Sequence, residues 1–397
     1  MTDYYFSGRV FDGTTFGKKA LLFNDEGGLI ERVDDGGSMS KPAGSVDISD
    51  TNVTLLPGLT DAHVHLFGAK HFDSLEMITV PDVLAALRCT NDLKALLKAG
   101  FTQIRDLGSK VAPQLRKAIE EGSIEGPNVF TSGKSLSQTG GDDDVARLPL
   151  DINQRLSYSI YCDGADECRK AVRSVIRDGA NVIKAYASGS LDQLMFEGAR
   201  IKRQFTVGEL KAIVDESHAA DLRVAAHAYG EDAMMNALEA GVDSIEHGVG
   251  LTDEICTRMV KQNTFYVPTL SIYEAVMRMV PQSVRELVTN HPRDVELAAK
   301  CGVKIACGTD YTGMDILPHG QNYLEIVALS KILGIPRAIE TATKTAAECL
   351  GSNSGVLAKG RIADLIVVHG TTEKDVTLLN PKNVMSVFKH GKRVKLD

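Results

Sequence analysis

Residues 55–66 read LLPGLTDAHVHL: an apolar run turns at Pro57-Gly58 and then presents Asp61-Ala62-His63-Val64-His65. Residues two apart on a strand share a face. His63 and His65 therefore project together, with Val64 entering the opposite layer. Two imidazoles on one face at a strand end can chelate a single divalent ion. Taken alone, a His-x-His pair reads equally well as two core or surface histidines, so the decision lies with the rest of the chain.

Downstream of His65, strand-like and helical stretches alternate. Val80–Lys98 has helical apolar spacing and ends before Gly100, a natural C-cap. Phe101–Leu107, Asn128–Ser132, Asn181–Tyr186, Leu222–His227, Asp243–Glu246, Thr264–Thr269 and Val303–Cys307 read as further strands. Between and after them lie helical stretches at Ala112–Glu121, Ala165–Arg177, Thr206–Ala220, Asp232–Ala240, Thr252–Gln262, 282–300, Leu324–Leu333 and Pro336–Leu350. The helix at Thr206 opens with a Thr-x-x-Glu capping box. Eight strands counted from Leu55, each followed by helical sequence over about 290 residues, predict an α/β fold of the (β/α)8 triosephosphate-isomerase type. A doubly wound open sheet is the alternative, but no G-x-G-x-x-G follows the first strand.

The two ends differ from this middle. Residues 1–56 show short apolar runs between turn signals such as Asp12-Gly13 and Asp35-Gly36-Gly37. Beyond Gly351, Ala363–Val368 and Asn383–Lys389 are again strand-like. The expectation is a composite β-sandwich from residues 1–56 and 351–397, flanking a catalytic domain at 57–350.

Composition excludes several classes. The 397 residues are 43% hydrophobic and 24% charged, ordinary for a globular chain with a sizeable core. A formal charge of -8 argues against a nucleic-acid surface. No apolar run of membrane-spanning length is present, and MTDYYFSGRVFDG lacks the pattern of a secretory signal. Seven cysteines, none in a C-x-x-C pair, suit a reducing cytoplasm and not a disulfide or thiolate-zinc framework.

In a barrel of this kind chemistry sits at the C-terminal strand ends. The polar residues that end the apolar runs are His63 and His65, Lys184, His227, Glu246-His247 and Asp310. Each has an ordinary reading alone: a core histidine, a snorkelling lysine, a helix-capping aspartate. Those readings do not explain why all of them fall on one rim. Four neutral imidazoles and a carboxylate suit zinc or a similar borderline ion. An ammonium would repel metal, so Lys184 belongs there only when neutral or carbamylated, and a carbamate could bridge two ions ~3.5–4 Å apart.

With these residues placed, PGLTDAHVH, IKAYASG, AAHAYG, SIEHG, GTD and GVLAKGRIADLIVV resemble the amidohydrolase superfamily, in its imidazolonepropionase-like and dipeptidase–carboxypeptidase branch. The resemblance covers essentially the whole chain. It implies two divalent ions, zinc by preference: His63, His65 and Asp310 on one, His227 and His247 on the other, carboxylated Lys184 between them. It further implies attack by a bridging hydroxide, with Asp310 as the proton shuttle, and assembly into a homo-oligomer.

Mononuclear deaminase relatives place a Glu soon after the histidine of strand five and lack the lysine. Here Glu231 comes too late after His227 and Lys184 is present, which favours hydrolysis of an amide. Tyr229 matches the tyrosine that polarises the scissile carbonyl in the resembling dipeptidases. Lys134–Leu150 reads as a polar lid; its Asp142-Asp143-Asp144 run replaces a histidine of the relatives and reads as a solvated loop in preference to a cation-attracting one. Arg147 is a candidate for a substrate carboxylate, and His319 for pocket lining. The expected substrate is a small molecule, a dipeptide or an N-acyl amino acid. The alternatives are a lactone or cyclic amide on the same metals, and a non-catalytic scaffold.

Overall fold

The computed structural model describes residues 1–145, 147–190, 202–277, 279 and 282–395. Two of its sheets are built of parallel strands alone. One contains β6 (Leu59–Val64), β7 (Phe101–Asp106) and β8 (Asn128–Thr131) in that order. The other runs β10 (Ser159–Tyr161), β9 (Ser135–Ser137), β11 (Ile183–Tyr186), β12 (Val224–Ala228), β13 (Ser244–His247), β14 (Phe265–Val267), β15 (Lys304–Ile305). Helices connect most successive strands, the arrangement parallel pairing requires.

The two sheets meet along both margins. After β15, Cys307 O accepts from Ala62 N at 2.8 Å and Tyr311 O from His65 N at 2.9 Å. On the other side β8 and β9 are separated by three residues, β8 pairing with β7 and β9 with β11. Asn181 N also donates to Thr131 O at 2.9 Å.

The chain ends lie in a third sheet. Its order is β18 (Lys392–Arg393), β17 (Val384–Lys389), β16 (Leu365–His369), β5 (Val53–Pro57), β1 (Asp3–Phe11), β2 (Phe16–Asn24), β3 (Ile30–Asp35), with β4 (Val46–Asp47) beside β1. β5 and β16 pair antiparallel, with Leu55 opposite Val367 and Leu56 opposite Ile366. Strand alternation then sends these neighbours to two cores. Leu55 and Val367 join Phe6, Phe23 and Phe388, whereas Leu56 and Ile366 join Leu59, Leu96 and Phe101 beneath the parallel strands. Gly58, between β5 and β6, admits no side chain: a Cβ there would lie 2.2 Å from Thr102 Oγ1. The motif Leu55–Leu66 is thus the crossing from one sheet to the next.

Helix termini follow their chemistry. The Thr206–Glu209 capping box forms with both of its hydrogen bonds and opens the helix Val207–His218. The helix Asp82–Lys98 ends before Gly100, whose φ is +86°.

Candidate metal centre

His63, His65, Lys184, His227, His247 and Asp310 all line one cavity at the C-terminal ends of the parallel strands. His63 is the penultimate residue of β6, and His65 follows the strand. Lys184 comes from β11, His227 from β12 and His247 from β13, and Asp310 follows β15. His65 Nε2 is 3.0 Å from Asp310 Oδ1, His63 Nε2 is 3.4 Å from the same oxygen, and Lys184 Nζ is 3.5 Å from His63 Nε2. Ring centroids of His63 and His247 are 5.1 Å apart, and those of His227 and His247 4.5 Å apart. Ligating atoms of His63, His247 and Asp310 all lie within 4.8 Å of one another, a possible metal-binding group.

Strand alternation does not by itself deliver this set. Glu246 sits opposite His227 in the β12–β13 ladder, so it shares that face, and His247 should turn away. His247 instead adopts φ +65°, and Asp310 φ +61°. A left-handed backbone is costly for residues other than glycine and concentrates at functional sites. Here it lets one strand end place both Glu246 and His247 inside.

Every imidazole is held by one nitrogen. His63 Nδ1 donates to Glu246 Oε2 at 2.9 Å, and His65 Nδ1 to Gly108 O at 3.0 Å. His247 Nδ1 meets Thr269 Oγ1 at 2.9 Å, and His227 Nε2 donates to Gly189 O at 3.2 Å. Each leaves its second nitrogen for the cavity: Nε2 in three cases, Nδ1 in His227. Fixing one nitrogen by an outer partner is how proteins orient metal-ligating histidines.

Burial dominates the electrostatics. It pulls His63, His227 and His247 well below the usual imidazole range, with Lys184 reinforcing the effect, so the neutral ligating form prevails. For His65 burial acts in the same direction, but the hydrogen bond and charge of Asp310 outweigh it and the net shift is upward. Lys184, 1% exposed, is pushed below the ordinary ammonium value, again by burial first. Three imidazoles biased toward neutrality, a fourth paired with the Asp310 carboxylate, and a buried amine biased toward neutrality form a donor set that fits divalent metal.

Tyr229 also lines the cavity, its ring stacked on His247 at 5.2 Å. Three expectations need correction. The Asp142–Asp144 run is not a solvated loop: Asp142 and Asp143 line the cavity, and Asp143, 6% exposed, accepts from Ser135 Oγ at 3.0 Å and Tyr158 Oη at 3.1 Å. Serine and tyrosine hydroxyls satisfy the carboxylate that sequence polarity assigned to water. Arg147 is not in the lining; its exposed side chain donates to Ser74 Oγ at 2.8 Å beside Asp73, so its charge faces solvent. His319 is buried but lies behind the cavity, where Nε2 donates to His65 O at 3.1 Å.

The roles of several contributors were hidden in the sequence, where Glu246 reads only as a strand-end residue. Glu246 and Arg105 are fully buried behind His63. Tyr273 comes from the helix Leu270–Val276 and meets Tyr229. Phe67, Phe72, Met77 and Ile272 form an apolar wall. A charge inside an apolar strand, as in FTQIRD and SIEH, was the available signal for the first two.

Residues 54–394 match the amidohydrolase family. The ochratoxinase of Aspergillus niger is 32% identical over 370 residues, covering 86% of this chain and 75% of that protein. Its crystal structure superposes with a TM-score of 0.90 at 29% identity, over 100% of this chain and 96% of that one. A prolidase crystallised with N-methylphosphonate-L-proline gives a TM-score of 0.87 at 31% identity, over 99% and 100% of the two chains. The chain therefore belongs to the amidohydrolase family and is a hydrolase of carbon–nitrogen amide bonds.

Proposed function

We propose that this hydrolase cleaves a dipeptide or an N-acyl amino acid at a binuclear metal site in a (β/α)8 barrel. The observation that carries the reading is the convergence of His63, His65, Lys184, His227, His247 and Asp310 on one cavity, each imidazole turning one nitrogen toward it. Closure of the barrel is supported by the hydrogen bonds on both margins of the parallel sheets. It is supported too by Arg105 on β7 reaching across to Glu246 on β13 at 2.8 Å. The catalytic domain is then 57–350, and the ends 1–56 and 351–397 make a composite β-sandwich. Seven free cysteines favour a reducing cytoplasm.

His63, His65 and Asp310 would hold one ion, His227 and His247 the other, with Lys184 as a carbamate between them. The close group His63, His247 and Asp310 draws on both sets, as two closely spaced ions require. Zinc suits this mixture of imidazole and carboxylate. When bound, such a pair would supply Lewis acidity and lower the pKa of water toward neutrality.

The side chains do the rest. Asp310 takes the proton of the attacking water at Oδ1 and returns it to the leaving nitrogen, a general base that becomes a general acid. Tyr229 donates its phenolic proton to the oxygen of the scissile carbonyl as charge develops there. Phe67, Phe72, Met77 and Ile272 exclude bulk water and strengthen both interactions. A dipeptide or N-acyl amino acid agrees with the prolidase and with a Xaa-Pro dipeptidase crystallised with methionine, 30% identical to this chain over 99% of its length.

Incubation of zinc-loaded protein with dipeptides, N-acyl amino acids, lactones and cyclic amides tests the proposal. Release of a free amino acid supports it, and turnover confined to lactones or cyclic amides overturns it. Asp310→Asn should lower kcat by about 10²–10⁴ with the fold intact; unchanged turnover would remove Asp310 from the shuttle role.

A further inference from the structure

We propose that Arg105 and Glu246 are positioning residues that lock His63 into the tautomer whose Nε2 lone pair faces the cavity. The inference rests on the reading of His63 as a metal ligand, and it deepens that reading by assigning two residues that never touch metal or substrate.

The network is buried throughout. Arg105 is 1% exposed, and Glu246 and His63 are 0% exposed. The guanidinium uses all three of its nitrogens: Nε to Ala62 O at 2.6 Å, Nη1 to Ser244 Oγ at 3.1 Å and Nη2 to Glu246 Oε1 at 2.8 Å. Ser244 Oγ also donates to Glu246 Oε1. The other carboxylate oxygen, Oε2, accepts from His63 Nδ1 at 2.9 Å. Three strands are tied together: β7 through Arg105, β13 through Ser244 and Glu246, and β6 through Ala62 and His63.

The chemistry of the chain of contacts leaves one arrangement. A guanidinium has donors only, so the group facing it must accept. Glu246 paired with Arg105 is a carboxylate and has no proton of its own. The proton between Glu246 and His63 therefore belongs to Nδ1, and the lone pair to Nε2. A buried ion pair is weak evidence for stability, since apolar residues of similar volume often serve as well. Tautomer control explains why a charged pair stands here.

Glu246→Gln separates this role from packing. Gln matches Glu in shape, and Arg105 and Ser244 still require an acceptor, so the amide oxygen faces them. The amide NH₂ then faces Nδ1, which must accept, and the proton moves to Nε2. An acid-to-amide change behind a catalytic histidine elsewhere leaves the geometry intact and imposes the wrong tautomer in the same way. Loss of such an outer partner typically weakens metal binding 10–100-fold.

The test uses full-length protein labelled with ¹⁵N-histidine, together with zinc affinity measured by chelator competition. Imidazole nitrogen shifts of the metal-free wild type should report His63 protonated on Nδ1, and those of Glu246→Gln protonated on Nε2. Zinc affinity should fall about 10–100-fold in the variant. If Glu246→Gln does not fold, Arg105→Met combined with Glu246→Met replaces the pair by apolar side chains; it should fold and show the same loss of affinity. Wild-type affinity in either folded variant, or an Nδ1-protonated His63 in Glu246→Gln, overturns the inference while the metal site stands. Absence of zinc binding by the wild type instead overturns the metal reading, and the nitrogen shifts still decide the tautomer.

Discussion

The phenol oxygens of Tyr229 and Tyr273 stand 2.5 Å apart. Both rings are buried and both line the cavity. Tyr229 lies two residues past His227, and Tyr273 four residues past Thr269, which holds His247. A phenol has one proton. When Tyr273 donates to Tyr229, the proton of Tyr229 is available to the cavity. Tyr229→Phe should therefore lower kcat by about 10²–10³, the usual effect of deleting an oxyanion donor. Tyr273→Phe should lower it less, about tenfold, because the donor remains but loses its orientation. Steady-state kinetics of both variants decide this; equal or absent effects contradict the donor role.

Lys184 should depend on carbon dioxide. Burial pushes its amine below the ordinary ammonium value, and the neutral amine is the form that adds to carbon dioxide. Protein reconstituted with zinc in bicarbonate-free buffer should take up less metal than protein reconstituted with bicarbonate. Lys184→Met should show low uptake in both. Full uptake by Lys184→Met would show that no bridging group at this position is needed.

His319 should make the fold acid-sensitive. Burial lowers it from 6.5 to about 4, while the hydrogen bond to His65 O opposes the shift weakly. Between these values the unfolded chain binds the proton and the folded chain does not, so stability falls as pH drops from about 6.5 toward 4. The difference of about 2.5 pK units amounts to about 3 kcal/mol at the acid end. Chemical unfolding of the metal-free protein at several pH values should show this loss, and His319→Gln should make it smaller, the buried His63, His227 and His247 keeping their own share. A wild-type stability independent of pH across the window would contradict the assignment.

Much of the fold was legible because its signals are local. The Thr206–Glu209 capping box, Gly100 at the end of the Asp82–Lys98 helix and the apolar runs of β7, β12 and β16 each announce one element without help from the rest of the chain. The site histidines were legible for a related reason: a polar residue ending a buried strand has few structural uses. What failed was whatever depends on partners distant in sequence. β9 and β10, three residues each, are rich in serine and tyrosine and form only because β11 and the Asp143 carboxylate are beside them. Asp143 looked like a loop charge for the same reason. Arg147 looked like a ligand for carboxylate because its actual partner, Ser74, is separated from it by several elements. The left-handed turns at His247 and Asp310 leave no mark in composition, yet they bring both side chains into the cavity.

The central claim, that six side chains grip a pair of ions, is tested most directly by elemental analysis of protein purified and reconstituted with zinc and bicarbonate. About two equivalents per chain are predicted for the wild type, consistent with a two-metal site, and a marked loss for His247→Ala. Near-zero metal in the reconstituted wild type would contradict the account.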